Sequence, residues 1–538
     1  MSLEMALQGA TRRPEARGLN GMVATGHTLA TLEGVRVLKE GGNAFDAAVA
    51  VTTSLAVVRP QMCGVGGDVF MLLYPASTGK VEALNGNGAA PGLADPSRLE
   101  GGVLPLTGVL PVTVPGAVDG WFSLHQRYGT MPLDRLFGPA IGYARDGFPM
   151  YPHLFNDVRE RTAVLSQEPA LAEIFLRNGQ PLPVGGAVRQ PALARTLHAI
   201  STGGRDAFYR GEIAEQIGQY FERAGGWLRA DDLANHTSRW SDPLRITYRD
   251  VTVYEQPPSS QGFMLLTELN IVEQDDLAAF GHLTADSIHL MVEAKKLAFA
   301  DRDRYLGDTD HTDVPMDWLL SKEHARTLRG QIDTSQTRSL VSSTVRGHDT
   351  TYFAIVDRDG NAVSGIQSLS HAFGGGAFAA EAGVIFNNRM TGFTIEPGHP
   401  NVLAGGKKPV HTLNTYLVTD RDGLLLVGGT PGGDGQVQTN LQVITGIVDH
   451  GLSPQQAIEA PRWISGEQRW VSAADTLRVE ARMPEEVRAG LEWRGHQLRI
   501  IDSWDQWAGS AKVVRVDRAT GSLQGGADSR RDAAAQGF

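Results

Sequence analysis

The chain has 538 residues, 41% hydrophobic and 20% charged, the balance of a globular protein with room for two or more domains or one large layered domain. Its formal charge of −11 argues against nonspecific nucleic-acid binding, and no stretch approaches the roughly 18 continuous apolar residues of a membrane span. The single cysteine, Cys63, excludes an intrachain disulfide, and the polar, mixed residues 1–17 lack the apolar core of a secretory signal, so a cytoplasmic enzyme is expected.

Residues 22–25 are a short apolar run that reads as a strand. Residues 28–39 have helical apolar spacing, which Gly41-Gly42 stops, and the Ala/Val-rich residues 43–58 read as a buried helix. Cys63-Gly64-Val65-Gly66-Gly67-Asp68 is a glycine turn into a strand at 69–74. Val69 stands where a dinucleotide fingerprint needs its third glycine, so close helix–sheet packing is the better account of these glycines. Residues 115–240 read as mainly helical, with breaks at Asn178-Gly179 and Gly203-Gly204. Ser259-Ser260-Gln261-Gly262 follows two prolines and reads as a tight turn. Residues 284–305 read as a long amphipathic helix, and the polar residues 307–349 as an exposed linker. From Thr350 the texture turns to β. Residues 351–367, 415–428 and 512–524 each read as strand, turn rich in Asp, Arg and Gly, then strand, with helices at 434–450 and 453–460. A helix-rich half followed by a sheet-rich half fits α+β or layered α/β.

Asp349-Thr350-Thr351 opens the first of these hairpins. Cleavage before Thr350 would free an α-amine on the residue that carries the hydroxyl, so one residue would supply nucleophile and base. Thr-Thr at the head of a strand is equally what β-propensity gives. A turn centred near Arg358-Asp359 sets Thr350 opposite a position within one residue of Ser368, whose hydroxyl would support the nucleophile or simply pair across the strands. Gly432-Gly433 offers two N–H groups on a tight turn, fit for an oxyanion or for a plain strand-to-helix connection. His371, His399 and His411 share a region but no metal-site spacing, and His348-Asp349 reads as polar linker rather than as a metal pair. No Gly-x-Ser-x-Gly elbow is present.

In order along the chain come Gly41-Gly42-Asn43-Ala44-Phe45-Asp46, Gly64-Val65-Gly66-Gly67, Val114-Pro115-Gly116-Ala117-Val118, Tyr128-Gly129-Thr130-Met131-Pro132 and Ala144-Arg145-Asp146-Gly147-Phe148. Asp349-Thr350-Thr351, Asp359-Gly360-Asn361-Ala362-Val363, Pro431-Gly432-Gly433 and Glu459-Ala460-Pro461-Arg462 follow. Together these segments resemble the γ-glutamyltransferase (γ-glutamyltranspeptidase) family of N-terminal-nucleophile hydrolases over nearly the whole chain. The resemblance implies an α+β fold, a four-layer αββα sandwich with additional helices. It implies a precursor that cleaves itself between Asp349 and Thr350. The products would be a large subunit, residues 1–349, and a small one, 350–538, held as a heterodimer within one αββα domain. Thr350 would attack a small-molecule amide, form an acyl-enzyme and pass the acyl group to water or an amine. Gly432 and Gly433 match the family's oxyanion loop, Ser368 a threonine that supports the nucleophile, and Thr351 the second threonine of the motif. No cofactor or metal is expected, and the sequence leaves any higher oligomer open.

The departures from the family concern the substrate headgroup. Asn87 stands where the family has an arginine for the α-carboxylate, and Gly392 where it has an aspartate for the α-amine. Arg389 replaces a glutamine, Ser370 an asparagine, and His411-Thr412 a serine pair, while the lid between Pro400 and Lys407 is short. Charge-assisted contacts of the lost kind contribute roughly 1.5–3 kcal/mol each. Ordinary γ-glutamyl recognition is therefore not expected, and Arg389 is the candidate for holding an acidic acyl group. The pattern is similar to the oxamate amidohydrolase branch, which cleaves a small acidic amide. The alternatives are a glutathione hydrolase with a rearranged headgroup site and an unprocessed, non-enzymatic member.

Overall fold

The computed structural model describes residues 11–339, 349–466 and 475–538. Two large sheets dominate it. In chain order their strands are β1 (Ala16–Gly18), β2 (Gly21–Thr25), β3 (Asp68–Tyr74), β4 (Glu82–Gly86), β5 (Arg239–Ser241), β6 (Leu244–Tyr248) and β7 (Val251–Glu255). Then follow β8 (Asp349–Asp357), β9 (Ala362–Ser370), β10 (Tyr416–Asp420), β11 (Gly423–Gly429), β12 (Lys512–Asp517), β13 (Ser522–Ala527) and β14 (Ala534–Gly537). One seven-stranded sheet runs β14-β2-β8-β9-β3-β4-β5 and the other β1-β13-β12-β11-β10-β7-β6, all neighbours antiparallel.

Side-chain alternation along the strands explains the layers. Tyr352, Ala354 and Val356 of β8 join Phe70 and Leu72 of β3 and meet Leu417, Val427 and Val514 of the second sheet. Phe353 and Ile355 point the other way, into a core shared with α1 (Thr28–Lys39) and α2 (Ala44–Val58). A strand buried on both faces needs no polar face, which is why β8 reads as an unbroken apolar run. All of α2 is buried, and its N-terminus is closed by a capping box between Asn43 and Asp46. On the far side, Val253, Val418, Leu426 and Val513 pack against α3 (Phe263–Val272), α4 (Ala285–Tyr305) and α5 (Gly435–Val448). The order helix, sheet, sheet, helix is the expected α+β, four-layer αββα sandwich.

Strands from before and after Thr350 alternate in both sheets: β8 and β9 lie between β2 and β3. Neither segment could bury its sheet faces alone. The three expected hairpins are present as β8–β9, β10–β11 and β12–β13. Two expectations need correction. The 285–305 helix forms, but its charged residues Glu293, Lys295, Lys296 and Arg302 are buried, because neighbouring elements cover it on more than one side. The 307–349 segment is not simply a linker: it contains helices Met316–Leu319 and Lys322–Arg329, with Leu319, Ala325 and Leu328 in the core. Residues 340–348, including His348, lie outside the described residues. The 115–240 region is largely helical but holds two small two-stranded sheets. Among the described residues, no helix is long and apolar enough to cross a membrane.

The glycine turn before β3 is a packing device, as expected. A Cβ on Gly67 would lie 2.4 Å from the Ser368 carbonyl oxygen, and one on Gly66 2.2 Å from that of Ile385. Gly67→Ala is therefore expected to push β9 away at Ser368. Overpacking of this kind costs about 1–3 kcal/mol. Thermal unfolding should show a lower midpoint than wild type; an unchanged midpoint would mean that the turn relaxes freely.

Candidate active site

Three residues on adjacent strands form the floor of the site. Thr350 pairs with Ser368 across β8–β9, and Ser368 pairs with Asp68 across β9–β3. Thr350 shares its side of β8 with Tyr352, so the row lies on the face turned toward the second sheet. The Thr350 hydroxyl lies 3.1 Å from Ser368 Oγ, and both side chains are buried. The turn geometry read from the sequence thus places the right partner opposite Thr350. A β-bulge falls between Asp349 and Thr350, opposite Ser370, which sits at φ 81°. A left-handed serine beside a bulge is the kind of backbone irregularity found at functional sites. It turns the Ser370 N–H back to donate to Ser368 Oγ at 2.8 Å.

Behind this row sits a buried charge network. Arg389 Nη2 donates to Ser368 Oγ at 3.0 Å, and Nη1 to Thr412 Oγ1 at 3.4 Å. Its Nε lies 3.4 Å from Asp68 Oδ2. Burial pushes the guanidinium down to about 10 against the pull of Asp68, so it remains a cation at neutral pH. The other Asp68 partners are the Gly88 N–H at 3.2 Å and His411 Nε2 at 3.1 Å. Burial first, then the Arg389 charge, lowers His411 to about 4, so it is neutral. Leu413 N–H donates to His411 Nδ1, which leaves the imidazole proton on Nε2, facing Asp68.

The glycine loop lies between β11 and α5. Gly432 (φ 139°) and Gly433 (φ 56°) adopt backbone that other residues resist. Among the described residues neither N–H has an intramolecular partner. Gln261 Nε2 donates to the carbonyls of Gly433 and Thr412, and Arg302 of α4 donates to Gln261 Oε1 at 3.1 Å and to Asp434 Oδ1 at 2.7 Å. Contacts thus run unbroken from Thr350 through Ser368, Arg389, Thr412 and Gln261 to Gly433.

Of the other residues singled out in the sequence, Asn87 donates to Ser259 Oγ at 3.0 Å, and Ser370 Oγ lies 3.3 Å from His371 Nδ1. Asp349 belongs to β8 through its backbone. Ser259–Gly262 is a turn into α3. Cys63 is buried, and burial pushes its thiol up. A cavity of about 620 Å³ opens beside Ala89, Ala90, His236, Arg239 and Lys408; Thr350 is not on its wall. Asp68, Gln261 and Arg302 were missed in the sequence. Asp68 left one signal: a carboxylate heading a wholly apolar strand must find a partner.

The model of the gamma-glutamyltranspeptidase family matches residues 30–538. The chain is 38% identical over 523 residues to the glutathione hydrolase-like YwrD proenzyme of Bacillus subtilis, covering 97% of this chain and 99% of that protein. It is 35% identical to the oxamate amidohydrolase proenzyme of Klebsiella pneumoniae, covering 96% and 98%. The crystal structure of cephalosporin acylase from Bacillus halodurans superposes with a TM-score of 0.91 at 35% identity, over 98% of this chain and 97% of that one. With the sandwich and this agreement over nearly full lengths, the chain belongs to the gamma-glutamyltranspeptidase family.

Proposed function

We propose that the chain is a proenzyme that cleaves itself before Thr350, and that the freed Thr350 is the nucleophile of an amidohydrolase or acylase. The observation that carries this reading is the buried Thr350 hydroxyl, 3.1 Å from Ser368 Oγ, next to a register shift in the β8–β9 pairing. In self-cleavage, Thr350 Oγ attacks the Asp349 carbonyl carbon, the C–N bond breaks, and nitrogen takes the hydroxyl proton. Water then hydrolyses the ester, leaving the Asp349 carboxylate and a free α-amine. In turnover that amine accepts the hydroxyl proton as Oγ attacks the substrate amide. The Gly432 and Gly433 N–H groups hold the oxyanion, and the intermediate collapses by giving the proton to the departing amine. Water, or a second amine, then releases the acyl group. Ser368 orients the Thr350 hydroxyl throughout, and the two segments stay together as a heterodimer.

For the substrate, the reading is an acyl group without a γ-glutamyl headgroup. A Cβ on Gly392 would lie 2.7 Å from the Val410 carbonyl oxygen, so the missing aspartate has no room, and Asn87 is engaged by Ser259. Asn87, Ser370, Arg389, His411 and Thr412 are the proposed determinants of the acyl pocket. A small acidic amide is the second reading. The Arg389 cation close to Ser368 favours it, and one relative is named an oxamate amidohydrolase.

Intact mass under denaturing conditions is the first check. Wild type should give two fragments joining at Asp349/Thr350, and Thr350→Ala a single chain without amidase activity; cleavage or turnover in that variant would refute the nucleophile. Ser368→Ala should slow the conversion to fragments and lower kcat, the latter by about 10²-fold, the scale of one positioned proton-transfer or hydrogen-bonding group. A change below threefold would remove Ser368 from the mechanism. In a panel of γ-glutamyl anilide, oxamate and an acylated cephalosporin, the γ-glutamyl compound is expected to be the poorest. Efficient release of glutamate would instead favour a glutathione hydrolase.

A further inference from the structure

Arg389 has a second reading, distinct from that of a substrate anchor. We propose that Arg389, braced by Asp68, is a positioning residue that acts through Ser368 on the Thr350 hydroxyl, in self-cleavage and in turnover alike. The inference rests on the proposed role of Thr350.

Among the groups that meet Ser368 Oγ are Thr350 Oγ1 at 3.1 Å, Arg389 Nη2 at 3.0 Å and the Ser370 N–H at 2.8 Å. Two of them are rigid. Ser370 N–H is fixed by the backbone of β9. Arg389 is 2% exposed; its Nη2 and Nη1 donate to Ser368 and Thr412, and its Nε is ion-paired with the Asp68 carboxylate at 3.4 Å. A guanidinium committed on three sides is a poor anchor for a ligand that must enter and leave, but a good brace for a hydroxyl.

Asp68 is itself immobile. It is fully buried, opens β3 opposite Ser368, and is met by the Gly88 N–H and by the neutral His411 imidazole. Its carboxylate offsets the Arg389 charge, which explains how a cation can be kept in this interior. The cation then lies one hydroxyl away from Thr350. As Thr350 Oγ gives up its proton and bonds to carbon, the charge that develops on it is stabilised across a short, dry distance. The same oxygen attacks Asp349 in self-cleavage and the substrate in turnover. A brace on Ser368 therefore affects both reactions, whereas a substrate anchor affects only the second, and mainly through KM.

The test compares Arg389→Gln and Arg389→Lys with wild type in two assays: the rate of conversion from precursor to fragments, and kcat and KM on the best substrate of the panel. Arg389→Gln should slow self-cleavage and lower kcat together, each by at least ~10-fold, with KM within about threefold. Arg389→Lys keeps the charge but not the fork geometry and should recover part of both rates. Normal self-cleavage with a raised KM would overturn the proposal and make Arg389 a substrate anchor. If Arg389→Gln does not unfold cooperatively, Arg389→Lys decides: both rates within twofold of wild type would overturn the proposal. Thr350→Ala serves as the reference. If that variant still reacts, the nucleophile reading falls and this inference with it; if it is dead while Arg389→Gln is unimpaired, this inference alone falls.

Discussion

A slip of one residue in the β8–β9 pairing would turn every side chain of β8 to the opposite face of its sheet. Thr350 would then point at the α2 layer, and Thr351, whose buried hydroxyl has no partner among the described residues, would point between the sheets. What prevents the slip is apolar burial on both faces. Tyr352, Ala354 and Val356 fill the space between sheets while Phe353 and Ile355 fill the space under α2, and the two sets differ in volume. The chemical row Thr350–Ser368–Asp68 is the end of that pattern, where apolar residues give way to polar ones on an unchanged register. Core packing, together with the hydrogen-bonded turn from Asp357 to Asn361, thereby aligns hydroxyl with hydroxyl.

The site's charges follow a different logic. Asp68 with Arg389, and Arg302 with Asp434, are ion pairs between buried partners. Burying two charges costs much of what their attraction returns, so such pairs are weak evidence for stability, whereas removing one partner costs about 3–5 kcal/mol. Their effect here is geometric. Arg302 fixes Asp434 and Gln261, and Gln261 fixes the Gly433 carbonyl, so the glycine loop is held from α4, outside its own sheet. Arg389 does the same for Ser368 from the segment after Asn388. Both arginines bridge elements far apart in the chain, which is how a sandwich made of two interleaved segments can hold one site.

This division explains what could be read from the chain. Elements with strong periodicity or clear stops, such as α1, α2, β3 and the three hairpins, were legible, and so was the Thr350–Ser368 pairing, because a hairpin's register follows from its turn. The helices at 316–329 were not, since the apolar run around Leu319 is brief, Leu328 lies among charged and polar residues, and only tertiary packing makes them core. The environment of α4 was hidden for the opposite reason: Glu293, Lys295 and Lys296 look solvent-facing until their cover is known. Asp68, Gln261 and Arg302 carry no local pattern at all. Apart from the neighbouring Asp303 of Arg302, the partners named above lie at separations of 20 to 343 residues, which no spacing argument spans.

At Gly392 the constraint lies in the backbone as well as the side chains. Asn401 donates to the Gly392 carbonyl at 2.6 Å and accepts the Val410 N–H at 2.9 Å, clasping the two segments together. The clasp brings the Val410 carbonyl to where a Cβ on residue 392 would start. A carboxylate could return to position 392 only if the segment before His411 moved, and His411 is tied to Asp68 and through it to Arg389. The crowding at position 392 and the buried Arg389 thus belong to one arrangement. On the proposed function, the acyl group is therefore one without an α-amine to be held at position 392.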